Sequence, residues 1–205
     1  MQHARRLFDW VMDGLAFVDR DMGLIMREQT AYLAATPSST LSWSMMSAEM
    51  FLATGDERYR QVVLEAARSV TRYGFKPDGR SQNTMMGGRI YGNTQSWYSL
   101  TSPMIRYIYQ DMGSLPELAP AGENHVLRSA TEIREISYGP RVVTYLSLPD
   151  SIELLKVAAP PRGVTIGDAP AQSSSGLQSP DGWWFNDASS VLLVKHRNPR
   201  VEVSF

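Results

Sequence analysis

The chain has 205 residues, 43% of them hydrophobic and 20% charged, the composition of a globular protein large enough for one domain or two small ones. Lys plus Arg number 20 against 21 Asp plus Glu, a net charge of -1. That balance excludes a global field drawing in nucleic acid or an anionic membrane, and leaves only local arginine clusters for polyanions. Cys is absent, and the three histidines, His3, His125 and His196, lie far apart. Disulfides, thiolate zinc sites and cysteine nucleophiles are thereby excluded, and a histidine-built metal centre is not expected.

Met1 to Asp19 carries Arg5, Arg6, Asp9 and Asp13 within its apolar pattern, which reads as an amphipathic helix and not as a signal peptide. Its stripe is Leu7, Trp10, Val11, Leu15 and Val18. Asp19 or Asp21 can cap a second helix, in which Ile25, Met26, Gln29, Tyr32 and Leu33 continue the helical period. Pro37 with Ser38 and Ser39 is expected to end it and to cap a third helix, with Leu41, Met45, Ala48 and Leu52 on one face.

Gly55 stops that helix and Asp56 starts the next at once, with Tyr59, Val62, Val63, Ala66, Val70 and Tyr73 facing inward and Gly74 closing it. The Gly-rich, polar stretch from Phe75 to Asn93 is long for a connection, and connections of that kind are often functional. A last helix begins either at Thr94 with a kink at Pro103 or afresh at Ser102. It carries Met104, Ile105, Ile108, Tyr109 and Met112 on one face and ends at Gly113. No stretch approaches the roughly 18 to 20 apolar residues of a membrane span, so no membrane partner is expected.

Leu115 to Asn124 holds two Pro and one Gly without periodicity and reads as the start of a linker. Beyond it the period becomes two. Val142, Thr144, Leu146 and Leu148 alternate with Val143, Tyr145 and Ser147, and Ile152 to Val157 is another β-rich run. Turn signals stand at Gly139-Pro140 and Gly167-Asp168, a Ser-rich loop spans Gln172 to Pro180, and Trp183-Trp184-Phe185 with Val191 to Val194 form a hairpin. Val201, Val203 and Phe205 alternate to the last residue. Helices first and strands afterwards give an α+β fold. Helical hairpins are expected over 1–114, a linker over 115–127 and an antiparallel β-sandwich over 128–205.

Two stretches carry a resemblance. Leu52-Ala-Thr-Gly-Asp-Glu-Arg-Tyr59 followed by Tyr73-Gly-Phe-Lys-Pro-Asp-Gly79 resembles the helix-turn-helix units of six-hairpin (α/α) toroid enzymes, among them glycoside hydrolases and polysaccharide lyases. Gly163-Val-Thr-Ile-Gly-Asp-Ala-Pro170 with Asp181-Gly-Trp-Trp-Phe-Asn-Asp-Ala-Ser-Ser-Val-Leu-Leu-Val-Lys195 is similar to the C-terminal β-domain appended to many of them. Together they cover about half the chain, at the level of fold. The resemblance implies a partial toroid followed by a sandwich, an oligosaccharide or polysaccharide partner, and a periplasmic or secreted parent. The chain has helices for only part of a six-hairpin toroid. It is therefore expected to be the C-terminal portion of a carbohydrate-processing enzyme, inactive alone, or else a carbohydrate-binding or interaction module that covers its open helical face by homo-oligomerising.

The residues offering such chemistry concentrate between Arg80 and Tyr98. Trp43, Trp97 and Tyr98 could serve as stacking platforms for sugars, with Asn83, Arg89 and Asn93 as polar partners. A lyase needs a base and a group that neutralises the uronate carboxylate, and Tyr91 with Arg89 and Asn83 offers those types within one loop. A hydrolase needs two carboxyl groups about 5 to 10 Å apart, for which Glu49 and Asp78 are candidates. Glu57, Glu65 and Arg68 read as a solvated outer face, and the eleven Met as adaptable packing. Gly87-Gly88 lacks the Gly-x-Gly-x-x-Gly and Walker spacings, so no cofactor is expected.

Overall fold

The structure, a computed structural model, describes residues 1–27, 35–75, 78–81, 101–174 and 179–205, with 101–103 described by backbone alone. Apart from one β-hairpin between the first two helices, the helices precede the strands, and the protein is of the α+β class. It divides into two compact units, Met1–Ser114 and Leu115–Phe205.

In the first unit, helix α1 spans Gln2–Leu15 and ends three residues short of Val18. Where a second helix was expected, the chain forms a β-hairpin: β1 (Ala16–Asp19) pairs antiparallel with β2 (Gly23–Met26). The turn chemistry explains the reversal. Asp19 Oδ1 accepts the backbone N–H groups of Asp21 and Met22, an Asx-type turn that competes with helix formation. Gly23 then takes φ 79°, which L side chains rarely adopt. Tertiary contacts fix the result. Leu24, Ile25 and Met26 are buried, the Met26 N–H donates to Thr40 Oγ1, Ser69 donates to the Met22 carbonyl, and Tyr73 donates to that of Asp21.

Helix α2 (Pro37–Thr54) places Pro37 in its first turn with Thr36 as N-cap, so Pro37 opens this helix instead of closing another. Its buried face is Pro37, Thr40, Leu41, Ser44, Ser47 and Ala48, while Leu52 is exposed. Gly55 follows in the left-handed region (φ 67°), its N–H bonded to the Phe51 carbonyl. Asp56 then caps helix α3 (Glu57–Tyr73) by accepting from the Arg58 N–H. Along α3 the buried set is Tyr59, Val62, Val63, Ala66, Ser69 and Val70. Helix α4 (Thr101–Ser114) buries Met104 and Asp111 and leaves Ile105 and Tyr109 exposed. Its inward face is thus rotated from the expected apolar set.

The second unit begins within the expected linker. Leu115 and Ala119 are buried around a 3-10 turn at Pro116–Leu118, and strand β3 starts at His125. The strands are β3 (His125–Ser129), β4 (Ile133–Tyr138), β5 (Val142–Ser147), β6 (Ser151–Lys156), β7 (Gly163–Ile166), β8 (Ala169–Pro170), β9 (Gln172–Ser173), β10 (Gly182–Asn186), β11 (Val191–His196) and β12 (Arg200–Ser204). They form two five-stranded sheets, ordered β3-β6-β11-β10-β9 and β4-β5-β12-β7-β8. Pairings are antiparallel except β9 with β10, and β9 lies in the stretch expected to be loop. Val143, Tyr145, Val164, Ile166, Val201 and Val203 from one sheet meet Leu155, Leu192 and Val194 from the other in a single core. Fully burying each aliphatic side chain contributes roughly 1.5 to 3 kcal/mol, and the period-two spacing of these residues directs them to one face.

Candidate functional site

Most of the side chains singled out from the sequence, namely Asn83, Arg89, Tyr91, Asn93, Trp97 and Tyr98, lie outside the described residues. Trp43 is described, and it is a packing residue. Its ring stacks on Phe8 with centroids 4.8 Å apart, and its indole N–H donates to Met12 Sδ at 3.0 Å. Phe8 in turn meets Tyr59 edge to face, at 4.7 Å. One face of Trp43 is therefore occupied by protein, as a core anchor requires. Glu49 is exposed on α2. Asp78 is exposed and ion-paired with Arg80 at 2.5 Å.

The structure shows two buried polar centres that sequence reading passed over. In the helical unit, Asp111 of α4 is 2% exposed, and its Oδ2 accepts from Ser44 Oγ of α2 at 2.6 Å. Its Oδ1 is buried without a hydrogen-bond partner. Burial pushes the carboxyl up to about 7, against the smaller opposing effect of the Ser44 hydroxyl. Asp111 occupies an apolar-periodic stretch, two residues from Gly113, and helical phase alone could have flagged it as inward-facing.

In the sandwich, Glu153 of β6 and His196 of β11 are fully buried, with His196 Nε2 2.7 Å from Glu153 Oε2. The opposite ring nitrogen, Nδ1, donates to the Asn198 carbonyl at 2.7 Å. Tyr145 donates to Glu153 Oε2 at 3.2 Å, and Ser151 and Ser129 donate to Oε1 at 2.5 and 3.0 Å. Burial by itself would raise the Glu153 carboxyl, but the bonds from His196, Ser151 and Ser129 together with the His196 charge hold it below its usual range. Burial, followed by the neighbouring Glu153 carboxylate, raises the Tyr145 phenol well above its ordinary value.

Ser147 Oγ approaches the same His196 Nε2 at 3.3 Å. A serine–histidine–acid relay needs the hydroxyl and the acid on opposite ring nitrogens. Here both sit on Nε2, and Ser147, His196 and Glu153 are all buried. The cluster is a structural polar core, legible in principle from Ser151, Glu153 and Leu155 alternating on one strand face.

The second unit also carries an open cleft of about 430 Å³, lined by Glu135, Ile136, Ser137, Thr144, Tyr145, Leu146 and Arg200. Of these, Glu135, Ser137, Thr144, Leu146 and Arg200 stand on the face of β4, β5 and β12 away from the core, while Tyr145 alternates with them as a core residue. Strand register sets the lining in rows: Glu135 is opposite Leu146, which is opposite Arg200, and Ser137 is opposite Thr144. Trp184, 37% exposed on β10, belongs to the other sheet. Among the described residues no group of three or more His, Cys, Asp or Glu could hold a metal ion, and no helix is long and apolar enough to cross a membrane.

No protein-family model matches the chain, and no curated protein or solved structure matches it either.

Proposed function

We propose that this chain is the C-terminal portion of a carbohydrate-processing enzyme, a glycoside hydrolase or polysaccharide lyase, and that it does not turn over substrate alone. The observation that carries this reading is the hairpin of α2 and α3. Gly55 ends α2 in the left-handed region, Asp56 caps α3, and the wholly buried Tyr59 packs back onto Phe8. Gly55 as helix breaker and Asp56 as helix cap are the roles that the toroid-like stretch Thr54-Gly-Asp-Glu-Arg-Tyr59 implies, and a mostly antiparallel sandwich follows in the same chain. Within this reading the polar stretch containing Asn83, Arg89 and Tyr91 contributes to the substrate cleft of the parent.

A second reading, an interaction module that oligomerises through its helices, is favoured by a different observation. Leu7 and Trp10 of α1 are 52% and 66% exposed, and Ile105 and Tyr109 of α4 are 44% and 62% exposed. Exposed apolar side chains favour association where they form one contiguous patch.

Light scattering on the purified chain, run with assays for released reducing ends and unsaturated uronate products, separates the two readings. The first expects no product from the chain alone and product from a longer protein that contains it, abolished by Tyr91→Phe if the reaction is elimination. Turnover by the isolated chain would overturn the first reading. An inactive, concentration-independent dimer would favour the second.

A further inference from the structure

We propose that the outer face of β4, β5 and β12 is a binding site for a neutral oligosaccharide, with one sugar ring seated over Leu146 between Glu135 and Arg200. The proposal rests on the carbohydrate reading above and names a place on the sandwich where such a ligand is held.

Register supplies the geometry. Glu135, Leu146 and Arg200 stand directly opposite one another on three neighbouring strands, so their side chains leave the sheet on the same face. Adjacent strands are about 4.8 Å apart, which puts the backbones of Glu135 and Arg200 on either side of Leu146 at about 10 Å. That span admits one ring with a hydrogen bond of about 2.8 Å at each edge. The half-exposed Leu146 offers the ring's C–H face an apolar floor. Two residues further along, Ser137 and Thr144 add a row of hydroxyls.

The polar groups of this cleft are unused by the fold. Neither Glu135 nor Arg200 forms an ion pair among the described residues, and the Ser137 and Thr144 hydroxyls have no hydrogen-bond partner there. This contrasts with Arg58, Arg80 and Arg197, each paired with an aspartate. Glu135 only accepts hydrogen bonds and Arg200 only donates them. An anion would satisfy Arg200 and be repelled by Glu135, and a cation would do the reverse. Vicinal hydroxyl groups accept and donate together, so a neutral polyol satisfies both walls and the hydroxyl row. Pairing of the β4 edge with another strand is an unsuitable alternative use of this region, because a bulge between Ile133 and Glu135 interrupts the strand's register.

The test is titration of the full chain with cellohexaose, xylohexaose and mannohexaose, followed by calorimetry and by the NMR shifts of the Leu146 methyls. Hexagalacturonate and glycylglycine serve as the anionic and zwitterionic comparisons. At least one neutral hexasaccharide is expected to bind and to shift the Leu146 methyls. Glu135→Ala and Arg200→Ala should each weaken it tenfold or more, and Trp184→Ala on the other sheet should leave it unchanged. Circular dichroism confirms that each variant is folded. Saccharide binding that ignores Glu135→Ala and Arg200→Ala overturns this site while leaving the carbohydrate reading in place. Binding of hexagalacturonate or glycylglycine alone also overturns it, as does no binding at all. The product assays on the longer protein judge the parent reading separately.

Discussion

His196 Nε2 lies 2.7 Å from Glu153 Oε2, and neither side chain reaches solvent. The pair joins neighbouring strands β6 and β11, where register places Val194 opposite Glu153 and His196 opposite Ser151. Removing one partner would leave a charge or a donor stranded in the core, which costs about 3 to 5 kcal/mol. Glu153→Gln and His196→Leu are each expected to destabilise the sandwich by that amount. The double variant should cost less than their sum, because the two changes share one interaction. Urea unfolding of the four proteins checks this, and strict additivity would contradict the coupling.

The same carboxylate makes the sandwich acid-sensitive. Glu153 titrates below its ordinary value in the folded state, so the unfolded chain binds its proton more readily. Its contribution is present above the ordinary carboxyl range and is lost as pH falls through the lowered folded value. Protection factors of the β6 and β11 amides, taken relative to the intrinsic exchange rate at each pH, should fall on acidification, and Glu153→Gln should remove much of that response.

Asp111 has the opposite sign. Its folded value is raised to about 7 from 3.8, so between these limits the folded state holds the proton that the unfolded state releases. The helical unit should be more stable near pH 4 than near pH 8, by up to about 4 kcal/mol. Exchange protection in α2 and α4 is the readout. Asp111→Asn should flatten the dependence; an unchanged pH profile in that variant would show that Asp111 is not its source.

The α2–α3 turn divides its stabilisation between two residues. Asp56→Ala removes the acceptor of the Arg58 N–H and is expected to cost about 1 kcal/mol. Gly55→Ala meets no atom within 4 Å but must hold φ 67°, a strain of about 1 kcal/mol. Thermal unfolding should therefore detect losses of similar size from two chemically different changes.

Trp43 separates packing from ligand recognition. With Phe8 stacked on it and Met12 accepting its N–H, Trp43→Ala should destabilise the helical unit by about 3 kcal/mol. Calorimetry should show no loss of affinity for any saccharide the chain binds, once folded fractions are matched.

Local chemistry made some elements readable in the sequence. Gly55 and Asp56 mark a helix end and a helix start through backbone conformation and capping, neither of which needs distant residues. Val201 and Val203 alternate with Arg200, Glu202 and Ser204, and period two is a property of the strand itself. These signals determined the α+β class, the order of its parts, and which strand residues could face a core.

Other features depended on contacts that sequence spacing does not encode. Leu24-Ile25-Met26 is apolar in either a helix or a strand. Thr40, Ser69 and Tyr73 decide for the hairpin by taking its backbone polar groups. Asp111 acquires its raised proton affinity only because α2 and α4 bury it beside Ser44. Glu153 and His196 are 43 residues apart, and Glu135 and Arg200 face the same cleft only because β5 lies between their strands. Covalent neighbours fixed the elements of this protein, whereas desolvation and strand register, which exist only after folding, decided which polar groups meet.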